Sequence, residues 1–230
     1  MKKGDLRKQE ILNTAETLFC RNGYEQTSIQ DILDLLNSSK GSFYHHFVSK
    51  EALLEGICKR RAEQIYNHIS DTISKDDAIS NQLDSWLSGM IPVPNEKLSF
   101  LMMILPVFLL PEGRMIRDAY CDSLKKLFLP PVANVLLLGQ KRGELICNDP
   151  DITAELILHS VNSLWIKICT IIISAEENQT DTDLSYLLRI TECYRRSIER
   201  MLSVTYGSIK LIDIPEIGKL SDQIHNHWKK

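Results

Sequence analysis

The feature that most restricts this chain is a pair of short apolar stripes set on either side of a three-residue break. Ile29, Ile32, Leu33 and Leu36 recur at helical spacing, Asn37-Ser38-Ser39 interrupts them, and Phe43 and Phe47 follow four residues apart. Helices this short are marginal alone, so both must lean on a longer neighbour. That neighbour is predicted from about Asp5 to Arg21, where Ile11, Ala15, Leu18 and Phe19 share one face and Asn22-Gly23 supplies the stop. The second helix follows Thr27-Ser28; either residue can cap it, with Gln30 or Asp31 three positions on. The third is predicted from about Lys40 to Phe47, and Ser49 caps a longer fourth helix reaching about Ile73.

Helical periodicity continues through the remainder, with no convincing β-hairpin signal and no internal repeat. The expected segments are 76–90, 96–110, 112–142, 150–175 and 181–206. Pro92 and Pro94 mark one loop, Gly143 ends the long segment, and Asn148-Asp149-Pro150 opens the next with proline at an early helical position. Pro130 and Pro131 fall inside 112–142 and are expected to kink or split it. A last segment, about Pro215 to Trp228, sets Ile217, Leu220, Ile224 and Trp228 near helical spacing. The fold class is all-α, and 230 residues suffice for a large core.

Two short helices joined by a three- or four-residue turn form the helix-turn-helix geometry that carries a second helix into the major groove of DNA. With Phe43 and Phe47 turned inward, Lys40, Ser42, Tyr44, His45 and His46 remain to face outward. Gly41 has no side chain and allows a phosphate to approach the first turn, whose free N–H groups favour an anion. Adjacent histidines point to different sides of a helix, and no third ligand stands at a useful spacing, so a metal site at His45 and His46 is not expected. The formal net charge of -3 gives no bulk attraction to nucleic acid, although residues 1–60 hold nine Lys/Arg against eight Asp/Glu. A basic arm of Lys2, Lys3, Arg7 and Lys8 can reach DNA or can simply fray.

Other classes are poorly supplied. Lys2 and Lys3 lead directly into an amphipathic segment rather than a leader peptide, and Leu98–Leu110 is short for a membrane span and interrupted by Pro106. A cytoplasmic protein without membrane partners is therefore expected. The six cysteines show no CxxC pair, and Cys58 is followed by two cations, Lys59 and Arg60. Bundle enzymes usually carry duplicated carboxylate-histidine pairs, and Glu155-x-x-x-His159 has no duplicate. Neither an enzyme nor a cofactor is expected.

The ordered run Ile11-Leu12-x-x-Ala15-x-x-Leu18-Phe19, then Gly23-Tyr24-x-x-Thr27-Ser28-Ile29, then Lys40-Gly41-Ser42-Phe43-Tyr44-His45-His46-Phe47-x-x-Lys50-Glu51-x-Leu53-Leu54 resembles the TetR family of transcriptional regulators. The likeness covers about the first quarter of the chain. It implies a three-helix DNA-binding domain at 1–48 and a helical effector-binding and dimerisation domain at 49–206, with helix 4 (about 49–73) linking the two. Residues 207–230 form a C-terminal extension. Matched position by position, phosphate contacts fall on Thr27, Ser38, Ser39, Lys40, Tyr44, His46 and Lys50, and base-reading positions on Gly41, Ser42 and His45. The turn Leu36-Asn37-Ser38-Ser39 departs from the family's more frequent Ala-Gly-Val-Ser, and asparagine tolerates the left-handed backbone such a turn needs.

The resemblance also implies a homodimer through the last two helices, whose broad stripes (Ala154, Ile157, Leu158, Val161 and Trp165 in one; Leu187, Leu188, Thr191, Ile198 and Leu202 in the other) suit a four-helix seam. It implies a repressor released from operator DNA by a small effector, with an activator or a thiol- or partner-controlled regulator as the alternative. Candidate effector-pocket residues are Trp86, Phe100, Met103, Phe108, Tyr120 and Trp165, with His159 and Asn162 as polar anchors. The lining suits a hydrophobic or amphipathic molecule.

Overall fold

A computed structural model of the chain describes residues 3–74, 76–91, 98–109, 113–212, 215 and 218–222. Among these there is no strand, and the helices are α1 (Lys3–Asn22), α2 (Ile29–Leu35), α3 (Lys40–Tyr44), α4 (Lys50–Thr72), α5 (Ile79–Gly89), α6 (Leu98–Leu109), α7 (Arg114–Arg142), α8 (Pro150–Glu177) and α9 (Leu184–Leu202). The all-α expectation holds. Three boundaries differ instructively. Helix α3 ends at Tyr44, and Phe47 reaches the interior through a turn in which the N–H groups of His46 and Phe47 both donate to the Phe43 carbonyl. Helix α7 is not split by Pro130 and Pro131. Each ring removes one backbone donor, those otherwise serving the carbonyls of Lys126 and Leu127, and Lys126 and Pro130 lie on an exposed face where water can substitute. Helix α9 stops four residues early because Ser203 turns left-handed, at φ 52°.

The chain divides into two compact units, residues 1–63 with 94–123, and residues 64–93 with 124–230. The first unit therefore takes in more than the expected 1–48. Within it α1 packs against α2 and α6, burying Ile11, Leu12, Ala15 and Phe19. The second unit centres on α8 and α9, where every predicted inward position of α8 from Ala154 to Ile172 is buried. Tyr66, Trp86 and Phe128 form its aromatic cluster, with ring centroids 5.4 Å apart for Tyr66–Trp86 and 5.7 Å for Trp86–Phe128. Gly89 permits the approach of Ile69, whose Cδ1 would stand 1.9 Å from any Cβ there. The window Pro150–Ala175 in α8 has the length and mean hydropathy of a membrane span, yet half of it is buried inside the fold, the ordinary condition of a core helix.

After α9 the chain folds back on its own unit. The Glu199 carboxylate, almost fully buried, accepts from the N–H groups of Gly207 (2.9 Å) and Ile209 (3.2 Å), and the Asp84 carboxylate on α5 accepts from the N–H of Lys210 at 2.8 Å. Ile209, Leu211 and Leu220 are buried, and the Ser221 hydroxyl donates to Thr182 Oγ1. Of the apolar positions expected in the last segment, Ile217, Ile224 and Trp228 lie outside the described residues.

Candidate nucleic-acid interface

The site is built from a turn upward. Gly23 closes α1 at φ 88° with its N–H on the Phe19 carbonyl, and the Tyr24 ring lies edge-on to Phe19 at 5.1 Å. Ser28, not Thr27, is the cap of α2. Its hydroxyl accepts from the Asp31 N–H, while the Asp31 carboxylate accepts from the Ser28 N–H at 2.7 Å. Those two Ser28 donors, backbone first and hydroxyl second, hold the Asp31 carboxyl below the usual carboxylate range. Helix α2 buries Ile32 and Leu33 and ends at Leu35; two residues on, Asn37 takes the left-handed conformation at φ 46° expected of it.

Ser39 then caps α3, its hydroxyl accepting from the Ser42 N–H at 3.3 Å. Phe43 is fully buried and its ring lies 6.0 Å from that of Phe47, fixing one side of the short helix. The other side presents Lys40, Gly41 and His45 exposed, and Tyr44 at 52% exposure with its ring edge-on to Phe43. Ser38, Ser42 and His46 are half-buried. His46 is held below the usual imidazole range, first by burial and then by the positive charge of His45, Lys8 and Arg7. An ideal Cβ built on Gly41 would meet nothing closer than Ser39 Oγ at 3.9 Å, so the protein itself does not require glycine there.

Two of the expected contact residues have partners within the fold. Thr27 has no exposed surface, and its hydroxyl donates to the Gly23 carbonyl at 2.8 Å; the side chain holds the turn between α1 and α2. Lys50 reaches back from the start of α4, donating to the carbonyls of Tyr24 (3.1 Å) and Thr27 (3.3 Å) with its ammonium 4.2 Å from the Tyr24 ring centroid. Two of its three donors are thus spent inside the fold. The basic arm is also partly committed. Arg7 pairs with Glu10 at 2.6 Å and Lys8 lies over the Phe47 ring, both as part of α1, while Lys2 lies outside the described residues.

The sequence reading passed over Glu16, which is only 8% exposed and is shared by two arginines of α4. Arg60 Nη2 donates to one carboxylate oxygen at 2.5 Å while Arg60 Nη1 donates to Asn13 at 2.6 Å; Arg61 donates to the other oxygen and stands 5.5 Å over the Phe100 ring of α6. The signal was present: Glu16 sits four residues after Leu12 and three before Phe19, on the buried stripe of α1.

The expected effector-pocket residues divide evenly between the two units. Phe100, Met103, Phe108 and Tyr120 are buried in the first, and Trp86 and Trp165 are buried in the second with Asn162 half-buried. Phe108 and Tyr120 lie 5.5 Å apart, and the Tyr120 hydroxyl is buried with no hydrogen-bond partner among the described residues, burial pushing its pKa above the ordinary phenol value. His159 is exposed and cannot anchor a molecule inside the core. Leu158, Val161 and Trp165 set the inward face of α8, and His159 falls one step round from it. Cys58 is buried, and its thiol is pushed up by burial first and then by Glu16 and Glu55, so neighbouring Lys59 and Arg60 do not make it reactive.

Residues 11–57 match the family described as "Bacterial regulatory proteins, tetR family". The HTH-type transcriptional regulator YerO of Bacillus subtilis is 28% identical over 179 residues, spanning 74% of this chain and 60% of that protein. The HTH-type transcriptional regulator QacR of Staphylococcus aureus is 27% identical over 179 residues, spanning 68% of this chain and 83% of QacR. Among solved structures, Salmonella enterica GusR superposes with a TM-score of 0.55 at 19% identity, covering 88% of this chain and 98% of GusR. The match to YerO thus leaves a good part of that protein's length unmatched.

Proposed function

We propose that this chain, whose residues 11–57 match the tetR family of bacterial regulatory proteins, is a DNA-binding transcriptional repressor that works as a homodimer on a palindromic operator and is released by a small hydrophobic or amphipathic effector. The observation that carries this reading is α3. A five-residue helix is anchored by Phe43 and Phe47 and capped by Ser39, leaving Lys40, Gly41, Tyr44 and His45 together on its free side. A side chain at 41 would fit the protein, and its absence leaves the start of α3 open to a close approach from outside. In this reading Ser38, Ser39, Lys40, Tyr44, His46 and the remaining donor of Lys50 position the DNA backbone, and Gly41, Ser42 and His45 face base edges.

Exposed Ile152 and Leu156 on α8 and Leu184 on α9 supply apolar surface for a second copy of the chain. Fragments of the source genome, mixed as a pool and retarded by the purified chain, test the proposal: one or a few fragments with internal dyad symmetry are expected, and a pool without any retarded fragment refutes it. Replacing Lys40 by Ala is expected to weaken binding to all sequences alike and to lower the salt slope by about 0.9 for the lost phosphate contact. Replacing His45 by Ala is expected to relax one base position instead.

A further inference from the structure

Under the returning segment after α9 lies a cavity of about 170 Å³, between α5, the α7–α8 turn and residues 204–209. It lies wholly within the second compact unit. A single water needs only about 10–15 Å³, so the space admits a small organic molecule. Leu83, Leu145 and Ile209, all buried, give it apolar walls. Its polar lining residues are Ser80, Glu144, Thr205 and Ser208. The Ser208 hydroxyl is buried without a hydrogen-bond partner among the described residues, a condition that costs stability unless something fills it.

The roof of this cavity is held in place independently. Glu199 fixes the backbone at Gly207 and Ile209, and Asp84 fixes it at Lys210. The walls therefore keep their shape without a ligand, as a preformed site requires. The charge of the lining is one-sided: Glu144 is its single ionised group, and it faces Arg142 only at 3.8 Å with both side chains nearly half exposed. Hydroxyl and carboxylate oxygens together suit a group that only donates hydrogen bonds.

We propose that this cavity binds a small primary ammonium compound with a short apolar body, its head on Glu144 and the hydroxyl of Ser208 and its tail against Leu83 and Ile209. The site is separate from the DNA-facing residues and does not depend on how they are read.

The test uses the full chain and n-butylammonium, followed by amide chemical shifts, with n-butanol and butyrate as isosteric controls. Saturable shifts confined to residues 79–83, 144–145 and 204–209 are expected with n-butylammonium, weaker ones with n-butanol and none with butyrate. Glu144→Gln, at an exposed position, is expected to weaken the ammonium about two- to fivefold, the worth of a partly exposed charge pair. Val204→Phe, which fills the cavity from its half-buried edge, is expected to abolish the response while circular dichroism stays native. Absence of any saturable shift, as for a cavity that holds only water, overturns the proposal. So do equal responses to butyrate, or a response that both variants leave unchanged.

Discussion

Replacing Glu16 by Gln keeps the shape of the α1–α4 contact and removes its charge, which leaves two guanidinium groups facing a neutral amide. Breaking a buried pair by removing one partner costs about 3–5 kcal/mol, because the remaining charge stays buried. The lower end applies here. Arg60, with 14% of its side chain exposed, keeps Asn13 and Gln9 as acceptors, and Arg61 is 29% exposed and retains the face of Phe100. A loss of about 3 kcal/mol corresponds to a fall in melting temperature of roughly 6–12 °C for a chain of this size. Thermal and urea unfolding of the two proteins side by side measures it. The stronger check is a cycle in which Arg61→Met is added. The double variant should lose less than the sum of the single losses, with a coupling of about 0.5–3 kcal/mol. A Glu16→Gln protein within about 0.5 kcal/mol of the parent, the range of an ordinary surface change, refutes the reasoning.

Gly41→Ala is expected to leave folding intact or to stabilise α3 by up to about 1 kcal/mol while weakening retardation of the bound DNA fragment; equal affinity by fluorescence anisotropy contradicts the close approach assigned to this position. Ser28→Ala removes the cap of α2 and should cost about 1 kcal/mol in urea unfolding, whereas Thr27→Ser, which keeps the hydroxyl on Gly23, should retain the turn. Glu192 is held down to about 2 by the Tyr206 hydroxyl first and then by Arg195 and Arg196. A carboxylate held low stabilises the fold above its unfolded value, near 4.5, and that contribution fades as pH falls from there toward about 2. Acid titration followed by circular dichroism should therefore be shallower over that window in Glu192→Gln.

The helices were legible because their stripes are local. Ile32 with Leu33, Phe43 with Phe47, and the inward residues of α8 can be read from spacing alone, and Asn37 announces its left-handed turn by residue type. What escaped depends on partners distant in the chain. Lys50 reads as a free cation until the carbonyls of Tyr24 and Thr27, over twenty residues earlier, are brought beneath it. His159 reads as a polar anchor on an apolar helix until the rotation of α8 is known. Helix α7 passes through two prolines because the missing donors fall beside an exposed face, a fact of tertiary placement.

Helix α3 also bears on how such a chain can change over generations. Gly41 and His45 answer to nothing in its interior, whereas Phe43 between them is locked into it. After gene duplication, one copy can exchange residues 41 and 45 and drift toward another target without first acquiring compensating changes in its core. Novelty at those two positions is nearly free of a folding penalty, and the aromatic residue between them keeps the frame on which it is tried.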